Sequence, residues 1–190
     1  MRVLSTLIDG VVLIKPEVFK DARGYFFESY SQREFDEKVR PVHFVQDNES
    51  SSCRGVLRGL HFQKGADAQS KLVRVVQGRV LDVAVDIRRG SPSFGKYVSV
   101  ELSADNYLQL FIPRGFAHGF SVLSQAAVFQ YKCDNFYAPQ SEGAIAWDDP
   151  AIGIDWRLTP AEILLSEKDR SHPRLQDALE LFDYSCDYYA

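Results

Sequence analysis

The sequence predicts a mainly β fold, a double-sheet jelly roll or small barrel with a few short peripheral helices. Three observations carry this expectation. Short apolar runs with a period of two recur through the middle of the chain: Leu81, Val83, Val85 and Ile87 alternate with Asp82, Ala84 and Asp86, and the same pattern returns at Val98–Val100–Leu102 and Leu108–Leu110–Ile112. Turn residues separate the runs, as at Gly90, Ser91, Pro92 and Gly95 and again at Pro113-Arg-Gly115. Aromatic residues reach 13% and many fall on the strand-like segments, where such side chains are favoured. The 190 residues suit one domain, 1–190, with a sizeable core.

Taken in order, Val11–Ile14 reads as an opening strand ended by Lys15-Pro16. Phe19–Gly24 is a turn and Tyr25–Tyr30 an aromatic strand. Ser31-Gln-Arg-Glu34 matches a capping box, with Phe35 and Val39 one helical turn apart behind it, so a short helix is expected. His43–Asn48 reads as a strand leading into a polar run, Glu49–Ser52, and Gly55–Gln63 as another strand. Leu72–Val76 and Arg79–Ile87 flank Gln77-Gly78, which predicts a tight hairpin. Phe120–Leu123 and Ala127–Tyr131 continue the β pattern, and Ala144–Trp147 offers a last strand. Thr159-Pro-Ala-Glu162 is a second capping box, and Leu175, Ala178, Leu179 and Phe182 have the spacing of a C-terminal helix.

Composition removes several function classes. The net charge of −4 argues against a nucleic-acid surface. Three widely spaced cysteines, Cys53, Cys133 and Cys186, suggest neither a disulfide framework nor a zinc site, and favour a reducing compartment. The N-terminus offers no signal peptide and no stretch approaches the roughly 20 apolar residues of a membrane span, so a cytoplasmic protein is expected.

The stretch Gly55–Ile87 concentrates chemistry. Arg58, His61 and Lys71 lie in or beside runs that otherwise read as sheet core, where polar groups need a ligand or each other. Pro113-Arg-Gly-Phe-Ala-His118-Gly and Tyr131 supply the second half of what reads as one pocket between facing strands. A lone core histidine usually makes a structural hydrogen bond. Two cations near His61 disfavour its protonated form, which suits a general base. Arg58, Lys71 and His118 suit an anionic substrate, with structural ion pairing as the alternative. Tyr131 could pack the barrel or donate a proton, and a cationic pocket would ease its ionisation. Ser166-Glu-Lys-Asp169 is, on pattern alone, a solvated charged run. A metal-binding cupin would want His-x-His, a nearby glutamate and a later histidine. Here Phe62-Gln63 follows His61 and no glutamate lies between Arg54 and Arg89, so no metal is assigned.

Gly55-Val-Leu-Arg-Gly-Leu-His61 together with Ile112-Pro-Arg-Gly-Phe-Ala-His-Gly-Phe120 resembles the dTDP-4-dehydrorhamnose 3,5-epimerase family of nucleotide-sugar enzymes. The likeness runs from about residue 10 to 175. It includes Asp21-x-Arg-Gly24 with Phe27-Glu28, Gln46-x-Asn48-x-Ser50, Gln69-x-Lys71-Leu-Val, Asp82-Val-x-Val-Asp86-Ile-Arg, Tyr131-x-Cys133, Trp147-x-Asp-Pro150 and Leu165-Ser-x-Lys-Asp169. The departures are Phe62, where a tyrosine is common, and Cys53 before the Arg-Gly run.

The resemblance implies a cupin-like jelly roll without metal or cofactor, acting as a homodimer on dTDP-4-dehydro-6-deoxy-D-glucose, a dTDP-4-keto-6-deoxy sugar. It implies that His61 is the general base, Asp169 the carboxylate that orients it, Tyr131 the proton donor on the opposite face and Lys71 the cation facing the enolate oxygen. By the same likeness Arg58 and His118 bind substrate, Gln46 and Asn48 contact nucleotide or phosphates, and Tyr137 stacks on thymine. Glu142 and Lys168 match further binding positions, and Arg23 and Glu28 match nucleotide contacts supplied by a neighbouring subunit. Two other readings remain at this point: a sibling inverting only C3 or C5, and a metal-binding cupin or non-catalytic sugar-nucleotide-binding protein.

Overall fold

The structure is a computed structural model that describes residues 1–189; Ala190, the last residue of the expected 1–190 domain, lies outside them. The chain runs β1 (Arg2–Ser5), β2 (Val12–Lys15), β3 (Phe19–Asp21), β4 (Gly24–Phe26), α1 (Gln32–Lys38), β5 (Gln46–Cys53), β6 (Leu57–Gln63), β7 (Lys71–Gln77), β8 (Arg79–Asp86) and β9 (Arg88–Arg89). It continues with β10 (Tyr97–Ser103), β11 (Gln109–Ile112), β12 (Phe116–Val122), β13 (Ala126–Cys133), β14 (Glu142–Ala144) and β15 (Phe182–Asp183). Two antiparallel sheets form the jelly roll: β1-β2-β11-β7-β13-β5 and β10-β8-β12-β6-β14.

The inner faces of the two sheets share an apolar core. Val73, Val75, Leu110, Ile112 and Phe129 of the six-stranded sheet meet Val80, Ala84, Phe116 and Phe120 of the five-stranded one. Phe120 and Phe129 stack across it with ring centroids 4.3 Å apart. Each outer face has its own cover. On the six-stranded sheet, Phe35 of α1 packs on Ile14, Leu72 and Phe111. On the five-stranded sheet, Leu81, Val83, Val85 and Ile87 are buried under Trp156, Leu175, Ala178 and Phe182. The apolar face of β8 therefore points away from the space between the sheets, and its carboxylate face, Asp82 and Asp86, points into it; both faces are buried.

Several local expectations are corrected. Gln77-Gly78 is a crossover, not a hairpin: β7 and β8 belong to different sheets and do not pair. The helix read over Leu175–Phe182 is a single 3-10 turn, Leu175–Asp177, with Leu179 82% exposed, because Leu175, Ala178 and Phe182 pack as an extended cover. Thr159–Glu162 forms only one arm of a capping box: Glu162 Oε2 accepts from Thr159 N at 2.9 Å, but the Thr159 hydroxyl donates to the same carboxylate oxygen while Glu162 N donates to Thr159 O, and only a turn follows. The strand read over His43–Asn48 starts instead at Gln46 and continues through the polar run Glu49–Ser52 to Cys53. Tyr25–Tyr30 is strand only to Phe26, and the last strand of the five-stranded sheet is Glu142–Ala144, earlier than Ala144–Trp147. The helix after Ser31 forms as expected; Glu34, however, takes the N-terminal ammonium at 3.0 Å and Lys38 at 2.6 Å.

Candidate active site

An open cavity of about 350 Å³ lies between the two sheets. Its walls are chemically different. The five-stranded sheet contributes Arg58 and His61 from β6, His118 from β12 and Glu142 from β14. The six-stranded sheet contributes Gln46 and Asn48 from β5, Lys71 from β7 and Tyr131 from β13. The two histidine segments are thus adjacent antiparallel strands, with His118 opposite His61 in register, rather than the facing strands expected. Tyr131 borders the same cavity from the other sheet.

Arg58 and His61 are three residues apart, a spacing that puts side chains on opposite faces of a regular strand. Both nevertheless line the cavity. The β6–β12 register explains it: His61 pairs with His118 but Arg58 pairs with Phe120, so three steps of β6 span two of β12. Gly59 accommodates the extra residue at φ +135°, where a Cβ would lie 2.6 Å from Gly119 Cα.

Asp169 reaches His61 from the C-terminal cover. Leu57 N donates to Leu164 O at 3.0 Å and Leu164 N to Gly55 O at 2.8 Å, laying residues 162–164 along the entry to β6. Gly55 permits that contact, since a Cβ there would lie 2.1 Å from Glu162 O. The 3-10 turn Lys168–Arg170 then presents Asp169 Oδ1 to His61 Nε2 at 2.6 Å. Ser166 Oγ donates to Asp169 Oδ2 at 2.7 Å and accepts from Asp169 N at 3.1 Å. Burial opposes ionisation of Asp169, but the hydrogen bonds from His61 and Ser166 prevail and lower its pKa to about 2. It is therefore a carboxylate at neutral pH. That fixes His61 as the Nε2–H tautomer when neutral and leaves Nδ1 as the basic nitrogen. His61 is 34% exposed against 6% for Asp169, so the imidazole is the open member of the pair.

Lys71 keeps some accessible surface in the cavity while the surrounding protein withdraws bulk water; its Nζ donates to Gln69 Oε1 at 2.9 Å. Burial lowers its pKa, and Cys133 and Asp134 act in the other direction. Tyr131 corrects an expectation. Burial, aided by Cys133, raises its pKa and outweighs the opposing pull of Arg58, so the phenol is harder to ionise, not easier. A phenol that keeps its proton is suited to donate it.

His118 is tied at Nε2 to the fully buried Asp82, 2.8 Å away, while its ring borders the cavity. Gln46 and Asn48 lie on the inward side of β5 and bond to each other at 3.0 Å. At the rim, Lys168 ion-pairs with Glu142, and Tyr137, which also lines the cavity, points its hydroxyl at the same carboxylate from 3.5 Å. Two sequence candidates lie elsewhere. Arg23 is 91% exposed at the β3–β4 turn, paired with Asp21, and Glu28 borders a separate cavity of about 180 Å³.

Sequence reasoning missed Asp82, Ser166 and His172. Asp82 was legible only as one carboxylate on an alternating strand, and Ser166 and His172 acquire meaning only once Asp169 is seen to be buried. Donor atoms of His61, Asp169 and His172 lie within 4.8 Å of one another. The 2.6 Å between His61 and Asp169 is a charge-assisted hydrogen bond, shorter than the spacing of about 3.3 Å between two ligands on a tetrahedral zinc. Arg58 and Lys71 border the same cavity and repel a dication.

A jelly roll that sets a carboxylate-held imidazole on one wall and a protonated phenol on the other, with a lysine in the space they share, defines an acid–base isomerase of the cupin type. Residues 5–177 match the family model described as dTDP-4-dehydrorhamnose 3,5-epimerase. The chain is 56% identical over 180 residues to the enzyme of that name from Salmonella typhimurium, covering 94% of this chain and 98% of the relative. A crystal structure of dTDP-6-deoxy-D-glucose-3,5-epimerase from Legionella pneumophila, in complex with dTDP-4-keto-L-rhamnose, superposes with a TM-score of 0.93 at 47% identity, covering 97% of this chain and 99% of that one. ChmJ, a 3'-monoepimerase from Streptomyces bikiniensis solved with dTDP-quinovose, is also similar, with a TM-score of 0.82 at 33% identity over 90% of this chain and 86% of that one. The chain belongs to the dTDP-4-dehydrorhamnose 3,5-epimerase family.

Proposed function

We propose that this protein inverts C3 and C5 of dTDP-4-dehydro-6-deoxy-D-glucose to give dTDP-4-dehydro-L-rhamnose. The observation that carries the reading is the His61–Asp169 pair on one wall of the cavity with Tyr131 on the other. The C4 ketone acidifies the protons on C3 and C5. His61 Nδ1 takes the proton from one face, and Asp169 stabilises the resulting imidazolium without itself becoming protonated. The electrons move onto the C4 oxygen, where Lys71 supplies positive charge. Tyr131 returns a proton to the same carbon from the opposite face, inverting it. Solvent then removes the proton from His61 and restores that of Tyr131, and the cycle runs again at the second carbon.

Arg58 and His118 are assigned to substrate beside the reacting ring, and Gln46 and Asn48 to nucleotide or phosphates. Tyr137 serves as the platform for thymine, with Glu142 and Lys168 completing the rim. Arg23 and Glu28, remote from this cavity within one subunit, are assigned to the neighbouring subunit's nucleotide site in a homodimer. The cytoplasm is assigned on the three free cysteines, which favour a reducing compartment. The likeness to ChmJ favours a second reading, inversion at C3 alone, but the relatives named as double epimerases are more similar. Replacing His61 with Ala is expected to abolish exchange of both the C3 and the C5 proton with solvent while the protein stays folded by circular dichroism. Retained exchange at either carbon would remove His61 as the base.

A further inference from the structure

His172 is the one imidazole beside the His61–Asp169 pair to which the chemistry above gives no task. Its Nε2 lies 3.3 Å from Asp169 Oδ1, the same oxygen that His61 engages at 2.6 Å. Its ring meets that of His61 edge-to-face, with centroids 5.7 Å apart and planes at 89°. The side chain is 11% exposed, so packing holds it in place. Asp169 is thereby engaged on both oxygens, by the two imidazoles at Oδ1 and by Ser166 Oγ at Oδ2.

We propose that His172 is a positioning residue for the catalytic base. Its Nε2–H donates to Asp169 Oδ1 while its ring bears on His61, so that carboxylate and imidazole keep one mutual orientation. The reaction makes this orientation demanding, because the same Nδ1 must meet two different carbons of the sugar in turn. Ser166 and His61 each hold one oxygen of Asp169; the third donor, on the oxygen that His61 shares, narrows the remaining rocking of the carboxylate and the imidazole together.

The donor must be uncharged to do this. A protonated His172 would compete with the His61 imidazolium for a single carboxylate oxygen. Burial holds His172 below the usual imidazole range; Asp169 pulls the other way, and the charges of His61 and Lys168 add to the effect of burial. Neutral His172 with Asp169 as its acceptor is the Nε2–H tautomer.

This inference rests on the epimerase reading for its kinetic consequences and is independent of it for its spectroscopic ones. The first test uses the unmodified, substrate-free protein. Nitrogen-15 NMR of the ring should find His172 as the Nε2–H tautomer; the Nδ1–H tautomer would overturn the proposal, since Nε2 could not then donate. The second test compares His172→Phe, which keeps a ring without a donor, with His172→Gln, which keeps an N–H. The Phe variant should shift or broaden the downfield Nε2–H resonance of His61. It should also lower kcat for solvent exchange roughly ten- to hundredfold with KM within about twofold, and the Gln variant should recover most of both. An unchanged His61 resonance and wild-type kcat in the Phe variant, or a loss confined to KM, would overturn the assignment. If the Phe variant does not fold, the Gln variant must still keep the His61 resonance near its wild-type position. Failure of the unmodified protein to exchange any sugar proton would strike the epimerase reading and leave the ring spectroscopy standing.

Discussion

At the scale of single residues, the site is a set of ordinary groups moved off their usual behaviour by their neighbours. Tyr131 keeps its proton because burial outweighs the pull of Arg58, and the proposed donor role draws on that. Tyr131→Phe should therefore slow inversion far more than proton removal, read as deuterium wash-in that outpaces product formation; an equal loss of both would argue against the donor. Asp169 carries a pH signature. Its folded pKa of about 2 lies below the ordinary 3.8, so the stability it contributes is complete above about pH 4 and is lost as the pH falls toward 2. With the carboxylate almost fully buried, that contribution is on the order of 2 kcal/mol. Urea titrations should find Asp169→Asn less stable than the parent by about this much near neutrality, with the gap closing between about pH 4 and pH 2. A gap that is flat across that range would mean that Asp169 is not the held carboxylate described here.

At the scale of elements, glycines and register bring His61 and Asp169 together. Gly55 occupies φ +87° and lets the Glu162–Leu164 segment lie against the start of β6, from which the chain reaches Asp169. Gly55→Ala is expected to cost about 2 kcal/mol or more and to lower kcat more than it raises KM, because it displaces the carboxylate rather than the substrate's wall. Wild-type kcat in a destabilised variant would separate this clamp from catalysis. The same elements mark where the sequence was legible. Alternation identified the strands β8, β10 and β11, because one face of each is continuously apolar. It missed the second half of β5, whose inward residues Gln46, Asn48 and Ser50 line the cavity and whose Ser52 meets Arg58, so that the strand carries no apolar face there. It also failed at Gly78, where two good strands separated by a turn residue read as a hairpin although the chain changes sheet. The C-terminal helix was misread because Leu175, Ala178 and Phe182 have helical spacing yet pack as a largely extended segment on the outer face of the five-stranded sheet.

At the scale of the whole molecule, the two sheets divide the chemistry between them. His61, Arg58, His118 and the rim carboxylate Glu142 come from one sheet; Tyr131, Lys71 and the polar strand β5 come from the other. On the proposed reading, a sugar ring between the walls presents one face to His61 and the other to Tyr131, the geometry that inversion requires. Most of the cavity was legible from the sequence because Arg58, His61, Lys71, His118 and Tyr131 are polar residues on otherwise apolar strands. Asp169 was not legible from its own surroundings: Ser-Glu-Lys-Asp reads as a solvated run, and only the long return of the chain from Asp149 to Asp169 across the outer sheet buries it. His172 was not singled out within the resemblance, since nothing in its local sequence marks it as the neighbour of His61, 111 residues earlier. The measurement that tests the central claim most directly is proton NMR of dTDP-4-dehydro-6-deoxy-D-glucose incubated with the protein in D₂O, with a reductase present to trap product. Deuterium at both C3 and C5, and recovery of dTDP-L-rhamnose, is the predicted result. Deuterium at one carbon alone would make this a single-centre epimerase, and no exchange at either would contradict the assignment of the cavity.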